Sequence, residues 1–192
     1  MLLQPRRSAY WLPRTDTNMN NQLLFKFLEE IRLQCHFARF AYDNLRARAQ
    51  GSDPETTFFY VHSFLSCAGN VARLLWPERS ESKARGERLR SELKTTEDSP
   101  LKIRILLKSF TASDEHFEDW IGAMETPSYL DFNIMPQGTM VDYKQDTFQR
   151  SLDPDTGKLV FRGERCDLRQ MIDELRRIES AAQLWFKTHN PW

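Results

Sequence analysis

No stretch of this chain is apolar for long enough to cross a bilayer. The richest candidate, Phe58 to Trp76, is interrupted by His62, Asn70 and Arg73, whereas a span needs roughly 18 to 20 apolar residues. There is no excess of either charge, since 27 Lys and Arg face 27 Asp and Glu. Bulk charge therefore does not point to a protein that grips a phosphate backbone along its length. Cysteine is scarce: Cys35, Cys67 and Cys166 lie far apart and form no CxxC pair, which suggests neither a disulfide framework nor a zinc knuckle and leads us to expect a reducing, cytoplasmic setting. The seven glycines are scattered and build neither GxGxxG nor GxxxxGK, so no phosphate-cradling loop is expected. No GxSxG elbow or Cys–His nucleophile signature is present either.

What is there is a chain of 192 residues, the size of one domain able to bury a core without staples. The first 18 residues, with two prolines and three arginines, do not match a secretory signal. They are expected to form a loose arm over 1–18, with Met19 as an alternative start and a single domain over 19–192.

Helical periodicity dominates. Leu24, Phe27, Leu28, Ile31, Cys35, Ala38, Ala41, Tyr42 and Leu45 recur at spacings of three and four, which predicts an amphipathic first helix from about Asn21 to Ala49. Asp53-Pro54 supplies an N-cap carboxylate and a first-turn proline for a second helix that Pro77 ends. Ser82 to Lys94 predicts a peripheral third helix with only Leu89 and Leu93 as its apolar stripe, weakened by Gly86. Ser99-Pro100 opens a long fourth helix to Met124, with Ile103, Leu106, Leu107, Phe110, Phe117, Trp120, Ile121 and Met124 as the buried side. Tyr129 to Met140 has no helical period. Asp153-Pro154-Asp155-Thr156-Gly157 predicts a turn joining strands near Asp146–Leu152 and Lys158–Arg162, a hairpin near 146–162. Asp167 then caps a last helix, Leu168 to Lys187. The expected fold class is mainly α: four to five helices with a small β hairpin before the C-terminal helix.

Charge is uneven along the chain. Residues 73–108 hold ten Lys and Arg against six Asp and Glu, whereas 109–156 hold two against ten. Two solvated faces account for this; the alternative is a dimer that pairs the basic face with the acidic one, or an electrostatic groove.

His62, Ser66, Asn70 and Arg73, spaced by four, four and three, put a polar stripe on the otherwise apolar second helix. Such a stripe must find partners, either on the first or last helix or as the lining of a cleft between protomers. Asp114, Glu115, Glu118 and Asp119 cluster near His116 with no second histidine at ligand spacing, so no metal site is expected, and no cofactor is indicated. Arg32 and His36, beside Glu29 and Glu30, suggest a local ion network. The aromatics Phe58, Phe59, Phe64, Phe110, Phe117 and Trp120 sit in helical segments, where core packing is the expectation.

Three stretches, FLEEIRLQCHFARFAYDNL at Phe27–Leu45, FFYVHSFLSCAGNVARLLWP at Phe58–Pro77 and SPLKIR…DEHFEDW at Ser99–Trp120, with a weaker match in LDPDTGKLVFRGERCDL at Leu152–Leu168, resemble a bacterial group of HEPN-like proteins. The resemblance implies an α-helical bundle that forms a homodimer around a polar cleft. It also implies metal-independent ribonuclease activity from an Arg-x(4–6)-His motif, in which a guanidinium steadies the scissile phosphate and an imidazole moves the proton. In this sequence Leu107 stands at the arginine, Lys108 at the asparagine and Ala112 at the histidine. The expectation is therefore a binding protein with a degenerate ribonuclease site, its partner a protein, a nucleotide or RNA, in a bacterial defence or toxin–antitoxin setting. The alternatives are a ribonuclease with a relocated pair drawn from Arg104, Lys108 and His116, and a structural interaction module. Arg104 and His116 are twelve residues apart, about 18 Å along a helix, so they would meet only across an antiparallel dimer.

Overall fold

The computed structural model describes residues 20–48, 53–103, 105–109, 113–125, 128–136, 139 and 147–189. The expected arm, Arg104, Phe110, Ala112 and Asp146 lie outside the described residues.

The helices α1 (Asn21–Arg48) and α2 (Pro54–Leu75) form an antiparallel pair on which α5 (Leu168–Thr188) and α3 (Lys83–Leu93) pack. The periodic positions of α1 carry the packing: Leu24, Leu28, Ile31, Cys35, Ala38, Ala41, Tyr42 and Leu45 are all buried, while Phe27 is half-buried. Asp53 caps α2, its Oδ2 accepting from Thr56 N at 2.9 Å and from Thr56 Oγ1 at 3.0 Å, with Pro54 following at the first turn. Those bonds hold the Asp53 carboxyl below the usual carboxylate range.

The third helix crosses the end of α2 at Gly86, which is buried. A Cβ there would sit 2.6 Å from Pro77 Cδ and 2.7 Å from Leu75 O, so the residue that lowers helix propensity is the one that permits the crossing. Leu89 and Leu93 are buried as expected. Arg90 closes the joint by donating to the Leu75 carbonyl. At the other end of α3, Arg177 of α5 donates to Leu93 O at 2.9 Å and grips Glu174 through two 2.7 Å bonds.

The fourth helix does not begin at Ser99 as expected. Turns occupy Pro100–Ile103, a five-residue π-helical turn covers Ile105–Ser109, and α4 runs from Ser113 to Gly122. Leu106 is buried, but α4 has no fully buried residue, and Phe117, Trp120, Ile121 and Met124 are only half-covered. Helical spacing runs through both pieces because each turns an apolar side inward. What the second piece meets is a loop and a sheet edge: Trp120 lies 5.3 Å from Tyr129, ring centre to ring centre, and Phe117 lies 6.5 Å from the same ring.

The hairpin is part of a larger sheet. Four strands, β1 (Asn133–Ile134), β2 (Arg150–Leu152), β3 (Lys158–Phe161) and β4 (Glu164–Asp167), lie in sequence order, with β1 parallel to β2 and the other pairs antiparallel. The first strand is therefore shorter than expected, and Phe148 makes only an isolated bridge to Leu130. In the DPDTG turn, Asp153 Oδ1 accepts from Asp155 N at 2.9 Å and Thr156 N at 3.1 Å, and Gly157 takes φ +76°. Gly157 O accepts from Leu168 N at 3.0 Å, which ties the turn to the start of α5, capped by Asp167 as expected. Leu152, Leu159 and Phe161 extend the helical core into the sheet.

Candidate functional site

The polar stripe of α2 is divided between two neighbourhoods. His62 belongs to the sheet, Asn70 and Arg73 belong to a groove beside α1, and Ser66 between them is exposed.

At the sheet, two histidines meet one ring. His62 approaches Phe161 edge-on at 5.7 Å, and His116 of α4 stacks on it at 6.5 Å and 19°. Glu164 Oε1 lies 3.5 Å from His116 Nε2. Arg162 holds its guanidinium over Phe117 at 4.7 Å and Phe161 at 4.9 Å, and donates to the Ser113 carbonyl at the first turn of α4. Arg150 pairs with Asp131 at 3.0 Å and covers Phe132 at 4.7 Å. Burial, together with the nearby Arg150 and Arg162, pushes the His62 imidazole down from its ordinary 6.5 to about 4, against a smaller opposing pull from Asp131. His62 is therefore neutral at neutral pH. Each cation here has a carboxylate or a carbonyl as partner, so the arrangement works as a joint that seats α4 on the sheet. It also puts two imidazoles on one aromatic ring.

At the other end of the stripe, side chains form a relay. Gln34 Nε2 donates to Glu30 Oε1 at 2.8 Å, and Asn70 Nδ2 donates to Gln34 Oε1 at 3.1 Å. Arg73 Nη2 then donates to Asn70 Oδ1 at 2.7 Å, and Arg73 Nη1 to Leu106 O at 3.0 Å. The relay joins α1, α2 and the π-helical turn. Gly69 makes the close approach of that turn possible, since a Cβ would lie 3.1 Å from Arg73 Nη1 and 3.2 Å from Leu106 O. Burial lowers the Arg73 pKa. Glu30, Asn70, Arg73 and Leu74 line an open cavity of about 340 Å³. A carboxylate and a guanidinium thus face one solvent-accessible space, held apart by two amides.

Comparison with known proteins returns no match: no family model, no curated protein and no solved structure is similar enough to assign this chain.

Leu107 and Lys108 lie in the π-helical turn next to the carbonyl that Arg73 binds. His116 meets Glu164 and Phe161, as above. Arg104 and Ala112, the other motif-related positions, lie outside the described residues. Arg32 and His36 do not form the expected ion network: His36 Nδ1 accepts from Arg39 at 3.0 Å, Glu29 pairs with Lys26 at 3.1 Å, and Glu30 serves Gln34. Phe59, expected in the core, is 64% exposed, whereas Phe58 and Phe64 are buried. The role of Glu30 and Gln34 was missed because a one-turn spacing on α1 reads as a local pair. Only the packing of α2 turns that pair toward Asn70. Nothing in the sequence marks Arg162, which stands at the end of the expected second strand. Among the described residues, no three His, Cys, Asp or Glu side chains are grouped so as to hold a metal ion, and no helix is long and apolar enough to cross a membrane.

Proposed function

We propose that the chain is a HEPN-like helical protein that binds RNA through the α1–α2 groove and does not cleave it. The observation that carries the reading is the groove's position. Arg73, which lines it, is bonded to the π-helical turn that holds Leu107 and Lys108, the positions where the resemblance places the cleavage arginine and its neighbour. A leucine can neither steady a phosphate nor carry a proton, so binding outlasts cleavage. The segment 73–108, with ten basic and six acidic residues, supplies a field that favours an anionic ligand.

The test is binding of a short labelled single-stranded RNA at low salt in the presence of chelator, with the RNA recovered afterwards. The expected result is salt-weakened binding of intact RNA that Arg73→Glu abolishes. Absence of binding at low salt would remove the reading. A homodimer, which the resemblance implies, belongs to the same proposal, and a monomeric mass by light scattering on that sample would delete it.

A second reading, metal-independent cleavage, has one observation behind it: His62 and His116 flank Phe161, with Glu164 beside His116. A neutral imidazole and an imidazole held by a carboxylate are the groups that general base and general acid catalysis require. It predicts chelator-resistant RNA cleavage that His62→Ala and His116→Ala each abolish.

A further inference from the structure

We infer that the groove selects guanine, with Glu30 receiving the donors of the base's Watson–Crick edge and Arg73 facing its acceptors. This rests on the RNA reading above.

Size is the first argument. The open cavity of about 340 Å³ lies at the low end of the roughly 300–1,000 Å³ that small-molecule sites occupy, the scale of one nucleoside. Leu74 gives it an apolar wall for the face of a base.

The pattern of donors and acceptors is the second. One side of the groove is a carboxylate, which only accepts, and the other is a guanidinium, which only donates. Guanine alone among the four bases places two adjacent donors, N1–H and the N2 amine, on one edge, with the O6 acceptor next to them. Adenine and cytosine would turn a ring-nitrogen acceptor toward the carboxylate, and uracil offers a single N–H between two carbonyls. An arginine beside O6 and N7 is the commonest specific contact to guanine, and single-stranded bases are read on these same edges.

Preorganisation is the third. Glu30 Oε1 is held by Gln34, and Arg73 uses Nη1 on Leu106 O and Nη2 on Asn70 Oδ1. Two of the five N–H groups of the guanidinium thus fix its plane, and a ligand need not pay to order it. Phe37 is two turns beyond Glu30 on α1 and 46% exposed, about 10 Å along the helix, where an adjacent base can stack.

The experiment is fluorescence anisotropy with two labelled RNAs of about eight nucleotides, one all uridine and one with a single central guanosine, against the wild-type chain and Glu30→Gln. Glu30 is exposed, so the substitution is compatible with the fold, and equal melting temperatures check this. The expected result is about tenfold tighter binding of the guanosine-containing RNA by wild type. In Glu30→Gln that preference falls below about twofold. Equal affinity of wild type for the two RNAs, or a preference that persists in Glu30→Gln, overturns the guanine assignment and leaves the RNA reading standing. Failure of both RNAs to bind overturns the RNA reading and the guanine assignment together.

Discussion

Arg73 on α2 donates to the main-chain carbonyl of Leu106 at 3.0 Å, so that a helix and a π-helical turn 33 residues apart in sequence share one hydrogen bond. The bond is partly buried, and its loss would leave the Leu106 carbonyl without that donor. Arg73→Ala is expected to cost about 1–3 kcal/mol, measured by urea unfolding, and to speed amide exchange over Ile105–Ser109. Unchanged stability together with unchanged exchange would show that the turn holds itself.

Gly86 and Gly122 make a paired prediction. Both are helical, and replacing glycine by alanine in a helix gains up to about 1 kcal/mol from propensity and unfolded-state entropy. At Gly122 nothing lies within 4 Å of the new Cβ, whereas at Gly86 it meets the Leu75 carbonyl at 2.7 Å and Pro77 Cδ at 2.6 Å. Gly122→Ala should therefore raise the melting temperature slightly, while Gly86→Ala should lower stability by about 1–3 kcal/mol through overpacking. Two shifts of the same sign would refute the crossing as described.

His62 makes stability depend on pH. Its folded-state pKa is lowered from 6.5 to about 4, first by burial and then by Arg150 and Arg162. Between those values the unfolded chain binds a proton that the native state refuses, so the contribution of the neutral imidazole is present above pH 6.5 and is lost progressively as pH falls toward 4. Melting temperature should drop over that window more steeply for the native chain than for His62→Gln. Parallel profiles would count against a neutral, buried His62.

Arg162 sits over Phe117 and Phe161 and donates to Ser113 O. Since α4 has no fully buried residue, these contacts and the pairing of His116 with Glu164 carry much of its attachment. Arg162→Ala should raise hydrogen exchange across Ser113–Gly122 severalfold while leaving α1 and α2 protected, which reflects the local nature of such openings. Protection that is unaltered in α4, or lost everywhere, would argue against the joint.

The local elements were legible because neighbours along the chain decide them. The apolar spacing of α1 and α5, the caps at Asp53 and Asp167 and the Asp153–Gly157 turn depend on residues within a few positions of one another, and each stands in the structure where the pattern placed it. Tertiary structure decided the rest. The apolar period that opens at Ser99 includes the turns at Pro100–Ile103, because periodicity records which side is covered and not whether the backbone is helical. The strand Glu164–Asp167 has no alternating pattern to reveal it, being charged at three of its four positions, and is held by its register with β3. The stripe His62, Ser66, Asn70 and Arg73 needed partners, and whether those were Phe161, Gln34 or Leu106 depended on which segments packed on either end of α2. Helical spacing fixes the face on which a polar group lies; only the long-range packing chooses its partner, since the partner's distance along the chain leaves no local trace.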